Sequence, residues 1–204
     1  EQNDKPNQGY ENTITSIGAS TAFEQFEDIY LDLGIDASYD DLRTDGSASS
    51  SLKKQSGQFF ELSAGYGFSN DQRDRSFMPT AGHVTAFHQT IPIYADKPFI
   101  DNNIRSSIYR SFSENYIASG KILLTAINGL NDEDVRLSKR KSLSTRRLRG
   151  FKKGKVGPID GSDHVGGNYA AAVNFDVTLP NLLPQATNTA VSYTHLTLPT
   201  KRIV

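Results

Sequence analysis

The sequence predicts an all-β fold, an incomplete transmembrane antiparallel β-barrel forming an open, curved sheet. Three observations carry that expectation. Apolar residues recur at every second position over long stretches. Those stretches run to about ten residues or more, and the connections between them alternate between long and short.

The elements follow in chain order. Weak alternation marks a first strand over Thr13–Phe23. From Asp28 to Tyr39 the pattern is clean: Ile29, Leu31, Leu33, Ile35 and Ala37 share one side, and Asp32, Asp36 and Ser38 share the other. An apolar face opposed to carboxylates at period two is a strand and not a helix. Over Gln58–Ser69, Phe60, Leu62, Ala64, Tyr66 and Phe68 oppose Glu61, Ser63, Gly65 and Gly67. Further strands are expected over Gly82–Ile93, Asn103–Ser113 and Tyr116–Ile127. The last clear one spans Asn168–Leu179, with Tyr169, Ala171, Val173, Phe175 and Val177 opposite Asn174 and Asp176. This makes about seven strands and no convincing helix.

Strand length separates two architectures that share this pattern. A large soluble β-sandwich or a lipocalin-like barrel would point the apolar side inward, and its strands typically run about five or six residues. A tilted strand crossing a bilayer needs about nine to eleven. The length favours the membrane barrel, with polar side chains toward a wet lumen and aromatic residues such as Phe59, Tyr109, Phe112 and Tyr116 near strand ends as interfacial girdles.

The connections agree. Asp40–Gly57 is long, polar and serine-rich, Asn70–Gly82 is tighter, Tyr94–Asn102 is intermediate and Ser113–Tyr116 is a short turn. A long segment over about residues 128–167 then lacks hydrophobic periodicity, and a connection of that length inside a compact domain is functional or disordered. Leu148 and Phe151 give it apolar anchors, and Gly157-Pro158 and Gly166-Gly167 are turn chemistry.

Composition bounds the chemistry. Net charge is −1, so the chain as a whole has no electrostatic preference for a polyanion. Cysteine is absent, which excludes disulfides and thiolate metal sites. No run of eighteen apolar residues marks a transmembrane helix. The polar start, Glu1-Gln2-Asn3-Asp4-Lys5-Pro6, does not read as a signal peptide, and a start without Met reads as a piece of a longer or processed protein.

No active site is legible. His83, His88, His164 and His195 are scattered without partners at ligand spacing, so neither a metal nor a cofactor is expected. Asp160 and Asp163 beside His164 fit turn formation better than acid–base work. Ser144 lies in no nucleophile elbow. Ten of the 22 basic residues fall between Arg136 and Lys155, the pattern of a polyanion-binding patch. Without interleaved stacking aromatics or a nucleic-acid fold, no nucleic-acid partner is expected, though lipopolysaccharide is a plausible anionic contact.

Several motifs carry a resemblance. Leu148-Arg149-Gly150-Phe151, then Gly157-Pro158-Ile159-Asp160, then Gly166-Gly167-Asn168 at the start of a strand resemble the long loop of the bacterial surface antigen family, the BamA-type outer-membrane assembly factors. Phe77-Met78-Pro79-Thr80-Ala81-Gly82 resembles the turn before an upstream strand of those barrels, and Leu179-Pro180-Asn181-Leu182-Leu183-Pro184 the turn after the loop's strand. The resemblance covers about Phe60 to Asn188.

It implies a barrel of roughly sixteen strands, an even number, of which this chain holds about seven, preceded in the family by periplasmic POTRA domains. It also implies a role in folding and inserting unfolded outer-membrane protein clients, with accessory assembly lipoproteins, outer-membrane lipid and lipopolysaccharide as partners and no enzymatic step. Related secretion and translocation pores share the loop, which keeps that function as the alternative. A polyanion-binding soluble β-protein is the lesser one. By the same resemblance, Arg149 sits at the tip of a loop folded into the lumen, Gly150 allows the tight tip and Phe151 packs beside it. A guanidinium there suits carboxylates in a partly dried space. The family's acidic partners lie in later strands; Asp32, Asp36, Glu61 and Asp176 face the lumen here.

Residues 1–191 therefore read as barrel. Residues 192–204 depart from the family pattern and are expected to be a non-native tail from adapter read-through, with a genuine short strand as the alternative. With two open sheet edges, this chain alone is expected neither to insert nor to stay soluble.

Overall fold

The computed structural model describes residues 2–5, 10–44, 46, 48–113, 116–145, 147–152, 154–179 and 189–197. The strands are β1 (Gln2–Lys5), β2 (Tyr10–Phe26), β3 (Ile29–Thr44), β4 (Gly57–Asp71), β5 (Gly82–Ala95), β6 (Phe99–Ser113), β7 (Tyr116–Gly129), β8 (Ile159–Asp160), β9 (Asp163–His164), β10 (Tyr169–Leu179) and β11 (Thr189–Thr197). One helical turn, α1 (Ser50–Lys53), and a 3₁₀ turn at Leu137–Lys139 complete the elements. No described helix is long and apolar enough to cross a membrane.

Nine strands form one antiparallel sheet in the order β1-β2-β3-β4-β5-β6-β7-β10-β11, while β8 and β9 make a separate small hairpin. Each strand pairs with the next one of the sheet, so the wall is a meander. All seven expected strands are present and most exceed their expected length, reaching 17 residues in β2 and 16 in β3. Among the described residues the sheet holds nine strands, the seven and two short ones at its edges. β1 and β11 are the additions, too short or too weakly alternating to announce themselves. β11 runs through residues 192–197 and pairs with β10 from Ala171↔Thr197 to Leu179↔Thr189. Residues 198–204 of the expected tail lie outside the described residues. Among those described, β1 and β11 are the sheet's edges and the wall is open.

The register shows how the wall tolerates a proline. Pro92 lies inside β5 and cannot donate to a ladder. The β4–β5 pairing shifts between Leu62 and Ser63, so that Leu62 faces Tyr94 and Ser63 faces Pro92. A bulge there absorbs the missing bond.

Burial is inverted relative to a soluble protein. On the outer face Ile17 is 79% exposed, Ile108 61% and Phe112 73%, and Phe60, Phe68 and Phe175 are exposed as well. On the inner face the buried set includes Asn12, Ser38, Asp40, Glu61, Ser63 and Asn174. A soluble sandwich or lipocalin-like barrel would bury the first set and wet the second. Apolar side chains outward over a whole strand face suit lipid as the outer solvent.

The connections split by rim. Among the described residues, 48–56, 96–98 and those of the long loop after β7 lie on one, and Glu27-Asp28 and 72–81 on the other. The turn of residues 72–81 is built around Asp74. Its carboxylate accepts bonds from the Thr80 amide (2.9 Å), the Thr80 hydroxyl (2.6 Å) and the Ala81 amide (3.1 Å). Gly82 then enters β5 at φ +92°, where a Cβ would stand 2.0 Å from the Gln72 carbonyl oxygen. The local need for Thr80 and Gly82 in the Phe77–Gly82 motif is thereby explained. Of the Leu179–Pro184 motif, only Leu179 lies among the described residues.

Candidate functional site

The loop of residues 130–168 leaves β7, folds over the inner face of the sheet and returns into β10. It is not disordered polar chain: Val135, Arg136, Leu137, Leu143, Leu148 and Val165 are all buried. The small hydrophobic clusters of the molecule join loop to wall. Leu137 and Val165 pack with Tyr10, Leu42, Ala48, Leu52 and Phe59. Leu143 and Leu148 pack with Ala170 and Ala172 of β10, and Val135 packs with Phe99 and Ile127.

The motif residues fall into two groups. Gly157, Pro158, Asp160, Gly166, Gly167 and Asn168 form the base of the loop. The Pro158 carbonyl accepts from the Val165 amide (3.0 Å), closing the β8–β9 hairpin. Asp160 accepts a bond from Ser49 Oγ at 2.9 Å, tying this hairpin to the loop between β3 and β4. Gly167 and Lys141 exchange both backbone bonds, at 2.7 and 3.0 Å. Gly166 has φ +73°, and a Cβ there would come 3.0 Å from the Lys141 carbonyl oxygen, so a side chain would pry this pairing apart. The Asn168 carbonyl accepts from the Ile127 amide at 2.8 Å, where the loop joins the ladder.

Leu148, Arg149, Gly150 and Phe151 form the second group, over β10. Leu148 is buried, and its amide and that of Arg147 bond the Ser144 carbonyl. The Arg147 carbonyl accepts from Asn174 Nδ2 at 3.0 Å. Beyond Leu148 the chain turns outward: Gly150 takes φ +88° with open space around it. The Arg149 side chain is 59% exposed and its Nη2 lies 3.8 Å from Asp176 Oδ1. Phe151 is 58% exposed.

Of Asp32, Asp36, Glu61 and Asp176, Arg149 approaches Asp176. Asp32 lies 3.1 Å from His88, and Glu61 is occupied elsewhere.

That occupant is a cation the sequence reading passed over. Arg136, 3% exposed, places Nη2 2.6 Å from Glu61 Oε2 and Nη1 3.9 Å from Asp40 Oδ2. Its guanidinium stands 5.1 Å from the Phe59 ring centroid and 6.0 Å from that of Phe99. Lys139 reaches the same Glu61 oxygen at 2.9 Å, and Ser138 donates to Asp40 at 2.5 Å. From the wall, Asn12 donates to Asp40 at 3.1 Å and the Tyr10 hydroxyl donates to the Leu137 carbonyl at 3.2 Å. One signal was available: Val135 and Leu137 flank Arg136 in an otherwise polar loop, as befits a segment pressed against a wall.

Charge pairing also engages half of the basic patch. Arg136, Lys139, Arg140, Lys141 and Arg149 each meet a carboxylate: Glu61, Glu61, Asp134, Asp101 and Asp176 respectively. Five of the ten basic residues between Arg136 and Lys155 thus meet carboxylates, four of them on strands of the wall. No group of three or more metal-ligating side chains occurs among the described residues.

Comparison with known proteins agrees with this geometry. Residues 1–194 match the family model described as the Omp85 superfamily domain. A SAM50-like protein of Schizosaccharomyces pombe is 27% identical over 142 residues, 65% of this chain and 30% of that protein. The outer membrane protein assembly factor BamA of Neorickettsia risticii is 24% identical over 188 residues, 90% of this chain and 25% of that protein. The chain thus spans between a quarter and a third of the length of these relatives. The crystal structure of Haemophilus ducreyi BamA lacking POTRA domains 1–3 superposes with a TM-score of 0.77 at 18% identity, over 92% of this chain and 42% of that one.

Proposed function

The chain belongs to the Omp85 superfamily as a BamA-type member, and from that premise we propose that it forms part of the barrel of an outer-membrane protein assembly factor. In this reading the protein is integral to the bacterial outer membrane and folds and inserts other β-barrel proteins there. It acts with unfolded clients, accessory assembly lipoproteins and the surrounding lipid and lipopolysaccharide, and it carries out no chemical step.

The carrying observation is an apolar-out, polar-in antiparallel wall with the Leu148–Phe151 loop folded onto its inner face. The work asked of such a protein is mechanical, so the residues that matter hold a loop and a wall in relation to each other.

The test is complementation. Cells depleted of their own assembly factor are supplied with a complete assembly factor whose corresponding strands and loop are replaced by this chain, and the folded fraction of several outer-membrane barrels is followed by heat-modifiable migration. Restoration of client folding is the expected result. Normal localisation with no client rescue, accompanied by export of a secreted substrate, would move the assignment to a translocation pore.

A further inference from the structure

We propose that the wall has a notch between β5 and β6 on the rim of the long loop, and that residues 136–141 of that loop close it from inside, with Lys141 on Asp101 as the positioning residue. The inference concerns the wall alone and stands whether the barrel inserts clients or exports them.

The strand pairing defines the notch. β5 and β6 pair from Gly82↔Tyr109 to Thr90↔Asp101, and there the ladder stops. Beyond that pair each strand follows its other neighbour. β5 stays with β4 as far as Ala95, opposite Glu61, and the Asp96 amide still bonds the Phe60 carbonyl at 3.1 Å. β6 stays with β7 as far as Phe99, opposite Gly129, and the Leu130 amide bonds the Pro98 carbonyl at 2.9 Å. Residues 91–95 and 99–100 therefore lie outside the β5–β6 ladder. Two local features account for the parting: Pro92 brings no amide hydrogen to a ladder, and the bulge opposite Leu62 and Ser63 bends β5. Both banks are interior strands, with β4 beyond one and β7 beyond the other, so the notch is not a sheet edge.

On the lumen side the loop bridges the two banks. Arg136 has its seat on the β4–β5 bank, where Nη2 lies 2.6 Å from Glu61, the strand partner of Ala95. Its guanidinium also meets a ring on each bank, at 5.1 Å from Phe59 of β4 and 6.0 Å from Phe99 of β6. Lys139 spans the same interval, 2.9 Å from Glu61 and 5.2 Å from the Phe99 ring. Lys141 then reaches Asp101, in the last β5–β6 pair, while its backbone is fixed by the two bonds exchanged with Gly167. Asp101 Oδ1 is buried with no hydrogen-bond partner among the described residues, so this acid depends on Lys141. Without the ammonium, a buried carboxylate would stand at the foot of the notch and draw water to itself.

The lipid side carries a matching mark. Beside Thr90↔Asp101 comes the outward pair Gln89↔Asn102, and Gln89 Nε2 donates to Asn102 Oδ1 at 2.5 Å. The Tyr66 hydroxyl donates to Gln89 Oε1 at 2.7 Å, so one chain of side-chain bonds crosses β4, β5 and β6. Carboxamides against hydrocarbon are costly unless bonded. Here they sit where the backbone rungs give out. The notch is thus stitched by amides outside and covered by cations inside, and the inner cover keeps luminal water from the stitch.

Position 100 reads the closure. Ile100 lies on β6 just past the last rung to β5, and the chain contains no cysteine. The assembly factor completed around this chain, free of other cysteines and carrying Ile100→Cys, is labelled in outer-membrane vesicles with a polar maleimide. Heat-modifiable migration checks that the barrel is folded. Adding Lys141→Met is expected to raise the labelling rate about fivefold or more, and Lys141→Arg, which keeps the cation, to leave it within about twofold. Ile108→Cys is the second reporter, on the same strand where it pairs with His83 of β5. Its labelling should stay within about twofold in Lys141→Met.

Unchanged labelling of Ile100→Cys in folded Lys141→Met would overturn the proposal. An equal rise at Ile100→Cys and Ile108→Cys would do the same, since it would mean a general loosening of the wall. Should Lys141→Met fail to fold, Asp101→Asn removes the other half of the pair and is expected to raise Ile100→Cys labelling in the same direction. A flat result in that folded variant would equally sink the idea. Labelling is read on the folded barrel and does not depend on client insertion, so a barrel that rescues no client would leave the notch standing.

Discussion

Arg149 shares Asp176 with Lys121: the guanidinium lies 3.8 Å from one carboxylate oxygen while the ammonium holds the other at 2.8 Å. The inner strand acid is thus satisfied from its own wall before the loop arrives. Replacing Arg149 by Ala should cost less than about 1 kcal/mol of stability, as exposed pairs do. Denaturant titration of the folded, heat-modifiable form in lipid would check this. A loss several times larger would make Arg149 a structural anchor.

Its neighbour Leu148 should behave in the opposite way. It is 3% exposed in a cluster with Leu143, Ala170 and Ala172. Leu148→Ala removes buried methyls that the wall cannot replace and should cost about 2–5 kcal/mol. The same titration, run beside Arg149→Ala, would show whether apolar packing or charge holds this end of the loop.

Asp74 makes the turn of residues 72–81 acid-sensitive. The Thr80 hydroxyl, and after it the Ala81 amide, lower its pKa from 3.8 to about 2. A folded pKa below the unfolded one means that the stabilisation is complete above the unfolded value and fades as pH falls through the folded value. Amide exchange at Thr80 and Ala81 should therefore accelerate, beyond its intrinsic pH dependence, as pH falls from about 4 to about 2. Asp74→Asn should abolish that window. Protection that is flat across it would show that the carboxylate does not hold the turn.

Gly82→Ala introduces a Cβ 2.0 Å from the Gln72 carbonyl oxygen at φ +92°. Strain and overlap together should cost at least about 2 kcal/mol. Folded-barrel yield after refolding into lipid should drop. Wild-type yield would mean that this turn has room the backbone does not show.

The two faces of β6 offer a test of what surrounds the wall. Ile108, 61% exposed, points outward opposite Gly120, and Ser107 points inward opposite Lys121. Ile108→Lys should cost up to about 2–4 kcal/mol if lipid lies outside, while Ser107→Asn should be nearly neutral. Equal tolerance at both positions would argue for water on both faces.

Much of the wall was legible because its physics is local. Period-two alternation survives in any window of β3, β4 or β10, since lipid on one side and polar contacts on the other both act on single side chains. β1 is not announced, and β11 stands only as the alternative to a non-native tail, because four and nine residues carry too little alternation to stand above their neighbours. The base of the loop was legible through Gly157, Pro158 and Gly166, whose backbone needs are written in residue type. The seat was not. Glu61 and Arg136 are 75 residues apart, and nothing near either names the other. Within a run of ten basic residues, Arg136 looked like one solvated charge among many. Arg149 stands in a motif, while the buried charge lies thirteen positions upstream in a segment without one.

β7 and β10 are paired neighbours, with Ala126 beside Tyr169, and residues 130–168 leave and return at that one spot. The wall's register would survive if this whole excursion were exchanged for a tight hairpin. Lengthening it is nearly as undemanding, since each doubling of a flexible loop adds only about 0.6 kcal/mol of closure cost. The excursion is in that sense a cassette: the strands hold its ends together, and what fills the interval can be changed without asking the strands to move. Selection can rework the cassette's contents freely, provided that the few side chains fastening it to the interior are kept.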